Sequence, residues 1–344
     1  MDQIHADWFD SLKYTARLFR KAYAGSYLYM ANKKPGLWGY IYQTFDKPVP
    51  PATRTLVKIV DRIGYRKLIE AVHARRPDAV VCTHFLPAHV LLARRGAEEA
   101  PLPVYVVVTD FDAHAHWIAQ EAAGYFAGND EVKAILEGHG IPASKIHVTG
   151  IPIHPLFSKS RPAAEILAEL NMPGEGPRVL LMGGGFAVEA TADALERLLK
   201  IETPYRLLVV SGKNERLRAK LERMSRGDSR VRVFGRVTNV HDLMQVSDLL
   251  ISKAGGLTVC ESLARGLPLV IFYPTPGQEE RNSDYLLENG AAVRCNSAAA
   301  LELKVRRLLA DPTKLAAMKS AAAGLGRPQA ARDILLAIRE SRGS

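Results

Sequence analysis

Cysteine is scarce in this 344-residue chain, which has only Cys82, Cys260 and Cys295. They lie far apart, without the short spacings of a zinc site and too few to staple a small secreted scaffold, so buried free thiols in a reducing compartment are expected. No apolar run reaches the roughly 18–20 residues of a membrane span, so any membrane contact is expected to be peripheral. The opening residues do not show the basic-then-apolar pattern of a secretory leader. Repeats and low-complexity tracts are also missing. Hydrophobic residues make up 47% of the chain and mean hydropathy is −0.05, which describes a globular protein with room for two domains.

Acidic residues are outnumbered, and the net charge is +10. Residues 1–76 hold 14 Lys/Arg against 6 Asp/Glu. The first fifty residues also carry six of the twelve tyrosines and two of the three tryptophans, Trp8 and Trp38. Rings interleaved with Lys13, Arg17, Arg20, Lys21, Lys33 and Lys34 suit an anionic bilayer surface. An amphipathic core helix with a solvated basic face accounts for the segment equally well. No nucleic-acid module accompanies the charge, and no nucleic-acid partner is expected.

Helices are expected over residues 10–30 and 52–75. Short apolar runs then alternate with helical stretches: Ala79–Cys82, a helix from Ala88, Val104–Val108, Gly124–Ala127 and Ile146–Val148. After a polar, proline-bearing stretch the pattern restarts with strands at Val179–Met182, Arg206–Val210, Val231–Phe234, Leu249–Ile251, Leu269–Phe272 and Ala292–Arg294. Such alternation predicts α/β architecture with parallel, doubly wound sheets. The expected organisation is a Rossmann-like domain over 1–150, a linker over 151–177, a second Rossmann-like domain over 178–328, and a last helix over 329–344 crossing back.

The densest signal runs from Ser252 to Asn282. A strand runs into Gly255–Gly256 with a helix opening at Thr258, and the next strand ends in Pro274–Asn282, where another helix begins. Two adjoining strand ends thus offer backbone N–H groups and helix N-termini to one crevice, the arrangement by which α/β sheets hold phosphorylated ligands. Glu261, three residues after Thr258, suits a ribose diol, and Gln278 with Glu279 suits sugar hydroxyls. Together they describe a nucleotide-sugar donor.

The pairing of Lys253-x-Gly255-Gly256-x-Thr258…Glu261 with Pro276-Gly277-Gln278-Glu279-x-x-Asn282 resembles the processive diacylglycerol glucosyltransferases and monogalactosyldiacylglycerol synthases. These are relatives of the peptidoglycan N-acetylglucosaminyltransferase. The resemblance covers nearly the whole chain. It implies a GT-B fold, two Rossmann-like domains facing across a cleft, and inverting transfer of hexose from a UDP-sugar to a lipid acceptor, foremost diacylglycerol. It also implies a cytoplasmic enzyme, peripheral on the inner face of the cell membrane. An undecaprenyl-linked acceptor, a UDP-sugar epimerase and a donor-binding remnant are the alternatives. In the family the first domain opens with a strand and a Gly-x-Gly-His loop, neither of which is found here. Residue 1 is therefore expected to lie beyond that unit, through truncation or a late start codon, with unpaired backbone groups left inside the first sheet. Oligomeric state is not readable.

The same resemblance distributes the remaining motifs. Gly183, Gly184 and Gly185, at a strand-to-helix turn, match the donor loop, although any tight turn favours glycine. Lys213 and Asn214 end the next strand, where Asn214 suits a helix cap as well as a ligand. Val237 falls in the segment that holds uracil. Thr109-Asp110-Phe111, His114 and Trp117 match on the acceptor side, with Asp110 the expected base and His114 behind it. The alternative for these residues is helix capping and packing on Trp117. His84 reads equally as an acceptor-side residue and as a strand-end histidine. Asp110-x-Asp112 and His114-x-His116 invite a metal reading. Asp112 and His116 have no match in the family, which needs no metal, so neither metal nor cofactor is expected.

Overall fold

The computed structural model describes residues 4–15, 65–93, 102–172, 174–183 and 188–343. They fall into two compact units, one comprising residues 1–109 and 113–148, the other 110–112 and 149–344.

In the smaller unit, helix α1 (Arg66–Arg75) buries Leu68, Ile69 and Val72. β1 (Val80–Cys82) is followed by α2 (Phe85–Leu92), β2 (Val104–Val107), β3 (Gly124–Ala127), α3 (Asp130–Gly138) and β4 (Ile146–Val148). The strands form one parallel sheet in the order β1-β2-β3-β4. They pair in sequence order, and among the described residues β1 has a neighbour on one side only. α3 shows why helices begin where they do. Asn129 accepts from Val132 N–H at 2.8 Å, Asp130 and Glu131 occupy the positive first turn, and Val132 and Leu136 face the core at i, i+4. Of the helix expected over 10–30, only a 3₁₀ turn at Ser11–Tyr14 is described. Most of the aromatic-basic segment lies outside the described residues.

The larger unit contains α4 (Ala163–Glu169), β5 (Arg178–Met182), α5 (Val188–Leu199), β6 (Arg206–Val210), α6 (Glu215–Met224), β7 (Val231–Phe234) and α7 (Val240–Gln245). It continues with β8 (Leu249–Ser252), α8 (Gly256–Ala264), β9 (Leu269–Phe272), α9 (Gln278–Glu288), β10 (Ala292–Cys295), α10 (Ala298–Leu309), α11 (Pro312–Leu325) and α12 (Ala330–Gly343). All six strands are parallel, in the order β10-β9-β8-β5-β6-β7. Alternate residues enter opposite faces. Leu180, Leu208, Leu250 and Ile271 pack with α8 and α9, and Val179, Leu207, Ile251 and Val270 with α5 and α10. Residues 151–177, expected as a linker, are integral here, since Ile151, Ile153, Phe157 and Ile166 join the core. α12 also belongs to this unit.

Candidate active site

β5 is the pivot of the larger sheet. From it the chain runs through β6 and β7 towards one edge, and from its other neighbour β8 through β9 and β10 towards the other. The carboxyl ends of β5 and β8 therefore flank a topological switch point, where open α/β sheets bind ligands. A small pocket opens there, lined by Met182, Gly183, Thr191, Ser252, Lys253 and Phe272. Ser252 Oγ donates to Met182 O at 3.0 Å and ties the two strand ends together. Gly183 is required by space, since a Cβ there would lie 1.7 Å from Thr191 Oγ1. Gly184 and Gly185 lie outside the described residues.

The helix N-termini around this point differ electrically. α8 begins after Gly255 with no side-chain cap and no acidic residue in its first turn. That first turn carries no carboxylate of its own, and Thr258 adds a hydroxyl to it. α9 is the opposite case, with Glu279 and Glu280 in its first turn. Glu280 accepts from Gly277 N–H at 3.2 Å and pairs with Arg294 at 3.1 Å. Gly277 has φ +89°, and Tyr273, at the start of the same loop, has φ +51°. The first turn of α8 is thus less acidic than that of α9. Lys253 reinforces this bias: its Nζ is 3.3 Å from Thr275 Oγ1, and it pairs with no carboxylate among the described residues.

Glu261 stands on α8, half-buried and without a partner among the described residues. Burial pushes its carboxyl up to about 7. Glu279 clips two loops together, accepting from Thr275 N–H at 2.5 Å through Oε2, while Oε1 lies 3.7 Å from the position of a Cβ on Gly255. Gln278 Nε2 donates to Asp110 Oδ1. Asn282, expected to touch the donor, is fully buried. Its Oδ1 accepts from Phe111 N–H and its Nδ2 donates to Ala254 O, both at 3.0 Å. That expectation is corrected, because both ends of the amide are satisfied by backbone. Asn214 accepts from Leu217 N–H at 3.0 Å as the cap of α6, Lys213 is exposed, and Val237 packs partly buried on the core.

In the smaller unit, His84 and His114 follow adjacent strands and meet around Phe85. The ring of His84 stacks on Phe85 at 4.3 Å, and His114 and Trp117 approach it edge-on at 5.2 and 5.6 Å. His84 is exposed and caps α2 by accepting from Leu86 N–H at 3.2 Å, whereas His114 and Trp117 are buried. His114 occupies the N-cap position of the next 3₁₀ turn without a side-chain cap bond. Asp110, expected with these residues, packs in the larger unit. Asp112 pairs with Arg281 there. Among the described residues, no three His, Cys, Asp or Glu side chains come together as metal ligands. Sequence reasoning missed Arg281, Thr275 and Glu280. Only Glu280 left a readable signal, an acidic residue three positions after a glycine N-cap.

The sequence profile described as monogalactosyldiacylglycerol (MGDG) synthase matches residues 1–153, and that of glycosyl transferases group 1 matches 170–324. A processive diacylglycerol beta-glucosyltransferase of Bacillus cytotoxicus is 32% identical over 278 residues, 80% of this chain and 71% of the relative. This chain belongs to that family. The Bacillus subtilis member is 30% identical over 296 residues, 85% of this chain and 76% of the relative. Among solved structures, Acinetobacter baumannii MurG aligns with TM-score 0.60 at 18% identity, covering 86% of this chain and 82% of MurG. S. aureus MnaA, solved with UDP, aligns with TM-score 0.62 at 15% identity, covering 80% of this chain and 78% of MnaA. These likenesses establish the GT-B fold class, and family membership makes the chain a glycosyltransferase.

Proposed function

We propose that this chain moves a hexose from UDP-hexose to diacylglycerol at a membrane surface, with inversion and without a divalent metal. The observation that carries the reading is the N-terminus of α8 at the sheet's switch point, with no acidic residue in its first turn, Lys253 before it, and Glu261, which has no partner among the described residues, behind it. The diphosphate sits on the N–H groups of α8, assisted by Lys253, Gly255, Gly256 and Thr258, with the Gly183 turn beside it. Glu261 takes the ribose hydroxyls. β6 and β7 lie one and two strand spacings from β5, about 5 and 10 Å, which suits Lys213 and Val237 to the nucleoside end. Gln278 and Glu279 face the hexose.

In the transfer, the acceptor oxygen bonds to the anomeric carbon as UDP leaves with the bonding pair, and the acceptor's proton passes to a base. Asp110 is the proposed base, with His114 second. The dipole of α8 and Lys253 stabilise the charge developing on UDP, which makes a metal unnecessary. Among the described residues no helix is long and apolar enough to cross a membrane. Trp8, 85% exposed, suits insertion at headgroup depth on the inner face of the cell membrane.

The test supplies UDP-glucose or UDP-galactose with diacylglycerol in anionic vesicles, with and without EDTA. Glycosyl-diacylglycerol formed equally in both is expected. No product from either donor, or loss of UDP binding on chelation, would sink the reading.

A further inference from the structure

Residues 110–112 belong by sequence to the connection between β2 and β3, yet they pack within the larger unit. Four contacts fix them to α9. Gln278 Nε2 donates to Asp110 Oδ1, Phe111 N–H donates to Asn282 Oδ1 at 3.0 Å, Phe111 stacks on Tyr285 at 4.8 Å, and Arg281 pairs with Asp112. The amide of Asn282 also binds Ala254 O at 3.0 Å, so it anchors the segment to the Lys253–Gly256 turn as well. Asp110 is 4% exposed and lies close to α8. Its charge adds to burial and to Glu261 in pushing the Cys260 thiol upward.

An ionised carboxylate accepts hydrogen bonds and cannot donate them. Gln278 must therefore turn its NH₂ towards Asp110, which leaves its Oε1 as the atom for a ligand. A freely rotating amide offers a sugar hydroxyl either face; this one, with one N–H given to Asp110, is held in one orientation with its Oε1 directed away from that carboxylate. We propose that Asp110 is a positioning residue for the donor hexose, holding Gln278 so that its side-chain oxygen accepts from a sugar hydroxyl. The inference rests on the donor reading above. It is separable from any acid–base duty of Asp110, because it operates with no acceptor present.

Calorimetric titration of UDP and of UDP-glucose into the full chain, without acceptor, tests it in wild type, Asp110→Ala, Asp110→Asn, Gln278→Ala and the Asp110→Ala/Gln278→Ala double variant. Asp110→Ala is expected to weaken UDP-glucose about tenfold while leaving UDP within about twofold. Asp110→Asn should weaken UDP-glucose less than Asp110→Ala, since its Oδ1 still accepts from Gln278 while its amide N–H also permits the reversed orientation. In the Gln278→Ala background, removing Asp110 should have no further effect. Unchanged UDP-glucose affinity in Asp110→Ala overturns the proposal, as do additive losses in the double variant. Equal losses for UDP and UDP-glucose overturn it too, because they mark a collapsed loop. Wild-type protein that binds neither ligand overturns the donor reading itself, and the inference with it.

Discussion

Glu261 offers the most direct test of the donor site. Its carboxyl is half-buried with no partner among the described residues, and burial lifts it to about 7. Ribose hydroxyls donating to it stabilise the charged form, so UDP binding is expected to strengthen as the group ionises. About nine-tenths of the carboxyls are ionised at pH 8 and about one-tenth at pH 6. Glu261→Gln removes a charge-assisted bond and should weaken UDP about ten- to hundredfold at pH 8. The wild-type advantage should shrink by nearly tenfold between pH 8 and pH 6. Taking the ratio of the two proteins cancels the phosphate's own titration, which falls near pH 6. Stability should move the other way. Because the folded value lies above the ordinary glutamate value of 4.5, the folded state binds the extra proton and its stability falls as pH rises from about 4.5 through about 7. Glu261→Gln should therefore melt higher than wild type at pH 8 and show no advantage at pH 4. Calorimetry of UDP binding at pH 6, 7 and 8, with melting curves at pH 4 and 8, supplies both readouts. A wild-type to Glu261→Gln affinity ratio that is flat from pH 6 to 8 would refute the role assigned to this carboxylate.

Gly183→Ala places a Cβ 1.7 Å from Thr191 Oγ1 and should cost about 1–3 kcal/mol in urea unfolding, with Thr191→Ala restoring part of the loss. Asn282→Ala removes the bonds from Phe111 N–H and to Ala254 O and should cost about 2–4 kcal/mol; a loss under about 0.5 kcal/mol would show that water replaces the amide. Gln278→Ala should weaken UDP-glucose and spare UDP, since only the former carries the hexose; equal losses would count against a sugar-facing side chain. Wild-type protein should float with anionic vesicles at low salt and less at high salt, and Trp8→Ala should float less at either, whereas no flotation at low salt would remove the membrane reading.

Much of the fold was legible because parallel strands are continuous apolar runs bounded by turn residues. Gly124–Ala127, Ile146–Val148, Arg206–Val210, Val231–Phe234 and Leu269–Phe272 are found with the bounds expected of them. α2 begins at Phe85 and not at Ala88, because His84 caps it and Pro87 falls in the first turn, where its missing N–H is harmless. Residues 151–177 looked like a linker by their prolines and charges, although Ile151, Ile153, Phe157 and Ile166 carried the core signal. Around the switch point, the places of Gly183 and Gly255 at strand ends were readable from the sequence, and that of Glu261 on α8 from its spacing after Thr258. Asn282 was noticed for the wrong reason, and Asp112 was weighed only as half of an Asp-x-Asp metal motif. Its pairing with Arg281 joins residues 169 apart, a relation that no local pattern encodes.

That separation in sequence also bears on how the chain is made. Phe111 emerges from the ribosome long before its partners Asn282 and Tyr285, and the hydrogen bond to Asn282 spans 171 positions. At about 5–20 residues per second, the segment waits roughly 10–30 s for α9 to be synthesised. During that interval a bulky ring that is 4% exposed in the finished protein has no site to occupy. The connection between β2 and β3 is thus the place where a nascent chain is exposed to chaperones or to misassociation, and it closes only when the larger unit is nearly complete.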